Sequence, residues 1–376
     1  EQNPAIFVSY NGMWFDEEVM RRQFYWNLFD PYFTNTRGNT RLDLFLKMHV
    51  IAHFYKQKFP IPEINNQMSL KLEDLVSNLD FDTINAHDAL ADCEFLIHLI
   101  KFIAHRLPCF YEEILDTVSK DGFFKKLNSN KVHFHCYFIP RSKTTKAYPF
   151  TPVIAEYNLS KYLPIFDLSY DPDDFIDLSY TELEQLINSK KKSPFKRLAI
   201  HKTQPTICLD TLIQDGIAIE NPDLLRDRAT KIQSNESFIE RVTDIFNSIE
   251  FATSKKINIE EQIYSEGFPS HIEKDRFIQF HNTQSYEERV NIIKSFDDHR
   301  YKEFAHRICA QEHTEEVETN ILIALKELTR SRFNDEGPWP NSLQNLEEGK
   351  SLLLEAKDED EKELINLAIN SIKNSQ

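Results

Sequence analysis

YNGMWFDEEVMRRQFYWNLFDPY, Tyr10 to Tyr32, is the stretch that decides the first domain. Just before it, Ala5–Ser9 reads as a buried strand, and Tyr10-Asn11-Gly12 carries the residues that turn the chain. From Asp16 the pattern becomes helical. Asp16, Glu17 and Glu18 fall in the first turn, where carboxylates meet the positive end of the helix dipole. The spacing predicts a helix that ends near Asp30-Pro31.

Outward from this stretch, Asp43 to Tyr55 is apolar at helical spacing and Lys71–Asn78 reads as a short helix. A further helix is predicted from Ala86 to Arg106, with Leu90, Cys93, Ile97, Ile100 and Ala104 on one face and Pro108 closing it. A strand followed by helices is part of an α/β domain, placed at residues 1–107. Beyond Pro108 the texture changes. Lys131–Ile139, Pro152–Tyr157, Leu163–Leu168 and Phe195–Ile200 alternate as strands do, and helices are predicted over Pro222–Lys231 and Glu236–Phe251. This gives a β region with flanking helices at 108–250. Residues 253–376 read as acidic and helical, with segments at Ile259–Ser265, Lys274–Phe280, Tyr286–Ser295, Arg300–Glu312 and Glu315–Arg330. A break at Gly337–Pro340 precedes two last helices. The fold class is α-rich, α+β and multidomain.

Composition bounds the function. The chain has 376 residues, 41% hydrophobic and 28% charged, ordinary values for a globular protein. No apolar run approaches the roughly 18 residues of a membrane helix, and no signal peptide is visible, so no membrane partner is expected. The five cysteines are scattered without a C-x-x-C pair, which suits a reducing cytoplasm rather than a disulfide scaffold or structural zinc. Only 7 glycines occur and none forms a phosphate-binding loop. The net charge of −16 hides an asymmetry: Lys120 to Lys202 holds fourteen Lys and Arg against nine Asp and Glu, a local +5, leaving −21 elsewhere. A basic middle in an acidic chain fits a nucleic-acid track, and equally a solvated surface. The chain opens EQNPAIFVSYNG, without Met, and reaches a strand at once, as a chain beginning inside a domain would.

The second informative stretch is NAHDALAD, Asn85 to Asp92. A nuclease needs carboxylates to hold divalent metals and a base to deprotonate water, and Mg²⁺-type ions take oxygen ligands. Asp92, one turn into a helix, and Asp16, at another helix start directly after a strand, are candidate ligands. His87 is suited to general-base work by its near-neutral pKa. The structural alternative is plain, since an Asp at a helix start is usually a cap. Other histidines carry less. His49 and His53 are spaced i,i+4 but lack the glutamate of H-E-x-x-H, and strand alternation sends His133 and His135 to one face and Cys136 to the other.

N-x-x-x-F-D from Asn11 to Asp16, followed by H-x4-D at His87 and Asp92, resembles the second and third motifs of the DEDDh family of 3′→5′ exonucleases, built on the ribonuclease-H-like fold. The match is closer still to the bacterial single-strand-specific exodeoxyribonucleases. It extends through NTRLDL (Asn39–Leu44) and LKLEDL (Leu70–Leu75), with weaker echoes in RLAIHKTQPTI (Arg197–Ile207) and EEQIYSEGF (Glu260–Phe268). The resemblance implies a nuclease domain, a Src-homology-3-like β region and a C-terminal helical domain that together admit single-stranded DNA. It also implies Mg²⁺ or Mn²⁺ at a two-metal site, the acidic tail of single-strand-binding protein as a partner, and a monomer acting in DNA repair. Asp92 resembles the metal-ligating aspartate, Asp16 the aspartate that supports the metals, and His87 the general base.

The departure is that the family's first motif, Asp-x-Glu on a first strand, is not in this sequence; Asp358-Glu359-Asp360 lies in an acidic helical tail. The expectation is an enzyme whose N-terminal strands are missing here, so that this chain alone is inactive. The rival is a non-catalytic single-strand-binding remnant. For DNA, aromatics interleaved with basics offer stacking and phosphate contacts. Arg21, Arg22, Tyr25 and Trp26 lie on the helix after Asp16, with Tyr32, Arg37 and Arg41 beyond it. Arg141, Lys143, Lys146 and Tyr148 form one basic cluster, and Lys190 to Lys192, Lys196 and Arg197 another. Arg41, Arg141, Lys143, Lys146 and Tyr32 are the nucleic-acid candidates.

Overall fold

The computed structural model describes residues 3–79, 89–154, 161–189, 192–249, 258–335, 337 and 339–374. The chain divides into two compact units, residues 1–21 with 31–255, and residues 22–30 with 256–376.

The chain begins with β1 (Ile6–Ser9) and α1 (Asp16–Trp26), of which residues up to Arg21 belong to the first unit, then β2 (Thr40–Asp43) and α2 (Leu44–Phe54). β1 and β2 pair in parallel, Ile6 opposite Thr40 and Ser9 opposite Asp43. α2 starts where it does because the Asp43 side chain accepts the Phe45 N–H at 3.1 Å. A small hairpin, β3 (Glu63–Ile64) and β4 (Gln67–Met68), leads to α3 (Leu72–Ser77) and α4 (Ala89–Arg106). Helices α5 (Pro108–Asp116) and α6 (Lys120–Ser129) come before the larger sheet. Pro108 opens α5 rather than merely closing α4, as a proline in a first turn does at no cost in hydrogen bonds.

The sheet is β5 (His133–Ile139), β6 (Thr144–Pro152), β7 (Tyr162–Asp167), β8 (Phe195–Ala199) and β9 (Thr206–Cys208), with α7 (Tyr180–Asn188) between β7 and β8. It is antiparallel in the order β8-β7-β6-β5-β9. Strand alternation divides its side chains. Leu163 and Ile165 of β7 pack with Leu198, Phe150 and the α6 residues Phe123, Phe124 and Leu127. On the opposite face Phe166 joins the main core with Phe134, Phe195, Val50, Tyr55 and Phe110. That core also takes residues of α8 (Leu209–Gln214), α9 (Pro222–Gln233) and α10 (Glu236–Ser248), among them Leu212, Ala229, Phe238 and Val242.

The second unit is helical: α11 (His271–Asn282), α12 (Tyr286–Ser295), α13 (His299–Glu312), α14 (Thr319–Asn334), α15 (Ser342–Glu355) and α16 (Glu359–Asn374). Its core gathers Tyr25 and Leu28 with Phe277, Phe280, Phe296, Tyr301 and Phe304. Arg300 sits inside it, 1% exposed. Its guanidinium donates to Asp298 at 2.6 Å and to the carbonyls of Gln262, Glu266 and Gly267 at 2.9, 3.2 and 3.3 Å.

Several expectations shift. α1 stops at Trp26, and Leu28 takes a left-handed φ of 56° instead of continuing to Asp30. The strand expected over Pro152–Tyr157 lies at Thr144–Pro152; residues 155–160 are outside the described set. The α4 face is also rotated. Phe95, Leu99 and Ile103 are its buried stripe, while Leu90 and Ile97 are 68% and 51% exposed. Ile259–Ser265, read as helical, holds only the single 3₁₀ turn Ile259–Glu261.

Three histidines of the first unit have pKa values pushed down to about 4, chiefly by burial: His49, His133 and His135. Unfolded imidazole titrates near 6.5, so between pH 6.5 and 4 the unfolded chain binds protons that the folded chain refuses. Stability is therefore expected to fall as pH drops through that window and to be flat above it on account of these groups. Urea midpoints across pH 4–8 test this, and a His133→Gln variant that stays folded should show a shallower slope.

Candidate functional site

The residues that converge on one place come from β1, the turn after it, α1 and β2. Parallel pairing brings Ser9 alongside Asp43. Asp43 is 1% exposed, and its carboxylate accepts the backbone N–H groups of Asn11 and Met13 at 2.8 and 3.2 Å. Burial raises its pKa and these donors oppose the rise. The β1–α1 turn is thus tied to β2 by a side chain, which fixes where α1 begins. Gly12 makes the turn tight, since a β-carbon there would lie 2.8 Å from Ser9 Cβ and 2.9 Å from Asp16 Oδ2. Asp16 is the first residue of α1 and its side chain is exposed.

Glu17, next in the helix, is buried and carries an ion pair with Arg41 of β2 and a second contact with Arg21 at 3.7 Å. The Arg21 guanidinium lies 5.3 Å above the Tyr32 ring. Beside this network opens a cleft of about 460 Å³, whose wall includes Met13 and Glu17. Its charged lining is mostly basic: Arg37, Arg41, Lys120 and Lys202, with Glu17 and Asp121 as the acids. Lys202 reaches over the exposed indole of Trp14, 4.3 Å from the ring centre. Burial lowers the Lys202 pKa, and Arg21 and Arg41 add to the effect. Cations crowded with too few carboxylates favour a bound anion.

Of the other sequence candidates, Asp92 stands in the first turn of α4, half-buried. His87 lies outside the described residues. Arg141, Lys143 and Lys146 are exposed at the β5–β6 turn and on β6, with Lys143 at a left-handed φ of 51° and its ammonium 5.9 Å from the Phe138 ring. Among the described residues no group of three or more acidic, histidine or cysteine side chains is placed to hold a metal. Asp16 and Asp92 are oxygen donors of the kind Mg²⁺ prefers, but these residues alone do not complete a site. Sequence reasoning missed Asp43, Glu17 and Lys202. The first two sat inside quoted stretches, FDEEV and TRLDL, and read there as helix-start residues.

No protein-family profile matches the chain. Individual proteins do. Exodeoxyribonuclease I of Haemophilus influenzae is 25% identical over 297 residues, 73% of this chain and 61% of that protein. The Buchnera aphidicola protein of the same name, from the Acyrthosiphon pisum symbiont, is 24% identical over 349 residues, 82% of this chain and 76% of its own. The chain is similar to bacterial exodeoxyribonuclease I over most of its length. It spans less than two thirds of the Haemophilus protein. The fold agrees: E. coli exonuclease I in complex with a dA16 oligonucleotide superimposes with a TM-score of 0.78 at 21% identity, covering 99% of this chain and 81% of that one. A moderately thermophilic exonuclease I from Methylocaldum szegediense gives 0.75 at 19% identity, covering 98% and 79%. Solved E. coli complexes with single-stranded DNA include a zinc-bound and a metal-free form.

Proposed function

We propose that this chain is the greater part of an exodeoxyribonuclease I that hydrolyses single-stranded DNA from its 3′ end to nucleoside 5′-monophosphates, in the cytoplasm, in DNA repair. One arrangement carries the reading. A strand, a glycine-tight turn and a helix start set Asp16 between Met13 and Glu17, two residues in the wall of a cation-lined cleft. Residues 1–107 correspond to the ribonuclease-H-like part, 108–250 to the Src-homology-3-like β region and 253–376 to the helical domain.

In this reading Asp16 and Asp92 would hold Mg²⁺ or Mn²⁺, which when bound stabilises the charge developing on the phosphodiester. The other two carboxylates, an Asp-x-Glu pair in the family, are not in this sequence. His87 takes the proton of the attacking water. Arg41 acts in part by holding Glu17 and in part by its charge on the cleft, whereas Lys202 meets the DNA backbone directly. Tyr32 is held for stacking by Arg21, and Arg141, Lys143 and Lys146 extend the basic track. A solved structure that names single-strand-binding protein with exonuclease I supports the same partner here. Docking through that protein's acidic tail, on a monomeric enzyme, is part of the proposed reading.

A binding-only remnant is the second reading, favoured by the absence of a three-ligand cluster among the described residues. Lys202→Gln tests the cleft under either reading. It should weaken binding to a labelled dT oligonucleotide severalfold and flatten the slope of log affinity against log salt by about 0.7, as loss of one phosphate contact on a single strand does. An unchanged slope would remove the cleft from the DNA path.

A further inference from the structure

The connection from β8 to β9, residues 200–205, brings Lys202 to the cleft and holds no helix or strand of its own. A free connection would have to be ordered each time an anion bound, and that ordering costs affinity. Here it is ordered in advance. Within the β region, His201 Nδ1 lies 3.0 Å from the Lys161 carbonyl, and the Gln204 side-chain amide donates to Ala199 O at 2.9 Å.

Two further ties cross to β2 and α2. The Thr203 hydroxyl accepts the Asp43 N–H at 3.0 Å and lies 3.5 Å from the Arg41 carbonyl, so it bridges two backbone groups of β2. From α2, the Lys47 ammonium donates to Gln204 O at 2.9 Å. Lys47 is 4% exposed, and burial lowers its pKa to about 8. Burying an ammonium is expensive, and an apolar side chain would fill a core position of α2 without that cost. What this ammonium meets is a carbonyl of the connection. Asp43 works on both sides of the joint: its amide holds Thr203, while its carboxylate holds the Asn11 and Met13 amides of the β1–α1 turn. Lys202 and the Trp14 ring, 4.3 Å apart, are thus fixed from one residue of β2.

We propose that Thr203 and Lys47 are positioning residues, which latch residues 200–205 onto β2 and α2 and so hold the Lys202 ammonium in place for a DNA phosphate. The inference rests on the reading that the cleft takes the DNA backbone, and it adds residues that act there through Lys202. The two are complementary probes. Thr203→Val keeps the shape and the charge and removes the hydroxyl. Lys47→Met removes the other tie from a position outside the described wall of the cleft.

The test uses the intact protein and a labelled dT oligonucleotide of 15 nucleotides, with Lys202→Gln as the reference. Each latch variant should lose affinity severalfold, as Lys202→Gln does, while Thr203→Ser, which keeps the hydroxyl, should bind like the parent. In the Lys202→Gln background neither latch variant should cost more than about twofold further, because the cation they position is already gone. Limited trypsin digestion reads the latch without DNA. Cleavage after Lys202 should be at least about fivefold faster in Thr203→Val and Lys47→Met than in the parent, since local opening sets that rate. A thermal melt shows which variants fold, and should Thr203→Val not fold, Lys47→Met carries the same cycle. Losses that multiply in the double variants, or cleavage at the parental rate, overturn the proposal. If Lys202→Gln itself binds like the parent, the cleft reading fails and takes the proposal with it, an outcome that the trypsin rates keep distinct from a failed latch.

Discussion

Asp92→Asn in the intact protein is expected to slow Mg²⁺-dependent release of mononucleotides from 3′-labelled single strands by at least about a hundredfold. A ligand of a catalytic metal supports several kcal/mol of transition-state stabilisation, and each 1.4 kcal/mol is about a factor of ten in rate. The structural role of Asp92 is small by comparison. It stands half-buried in the first turn of α4, where a carboxylate favours the helix dipole by about 0.5 kcal/mol. Activity and stability should therefore separate. The variant should melt within a few degrees of the parent and still bind single strands, since the cleft cations are untouched. If rate and melting temperature fall together, Asp92 is a helix cap and not a ligand.

The largest stability effect is expected at Arg300. Its guanidinium is fully buried, paired with Asp298, hydrogen-bonded to three backbone carbonyls, and 5.3 Å from the Tyr301 ring centre. Asp298 in turn caps α13 by accepting the Arg300 N–H at 2.8 Å. Arg300→Met fills much of the volume but strands the carboxylate and the carbonyls of residues 262, 266 and 267. Removing one partner of a buried pair costs about 3–5 kcal/mol, against under about 1 kcal/mol for an exposed one. Urea unfolding followed in the second unit should show a loss in the larger range. Adding Asp298→Asn should recover part of it, because the unpaired charge is then gone. A loss below about 1 kcal/mol would mean that Arg300 is not a structural centre of this unit.

How far the sequence could be read depended on how local each signal was. The start of α1 was legible because the turn residues Tyr10-Asn11-Gly12 and the carboxylates Asp16 to Glu18 lie within nine positions. Asp43 was not, since its work is to hold amides thirty or more residues away across a parallel pair. Strand β6 was placed too late: the expected strand opened at Pro152, where the strand of the structure ends. Pro149 is tolerated within it because its carbonyl still accepts, with Leu168 N–H donating to Pro149 O at 2.8 Å. The rotated face of α4 has a cause beyond the helix itself. Two interleaved apolar stripes fit the helical period, and only packing against α3 and α5 picks the one through Leu99. The cleft needed residues 13, 41, 120 and 202 together, which no local pattern announces. Motif resemblance reached Asp16 and Asp92 where periodicity could not rank them above ordinary caps.

The central proposal is that this chain belongs to a metal-dependent 3′→5′ nuclease of single strands. The direct measurement gives the intact protein, with Mg²⁺, equal amounts of a 3′-labelled single strand, a 5′-labelled single strand and a blunt duplex, and follows products over time. The account predicts that the 3′ label leaves first as a mononucleotide, that the 5′-labelled strand shortens progressively, that the duplex persists, and that His87→Ala abolishes all shortening. Binding without shortening, or an unchanged rate in His87→Ala, would contradict it.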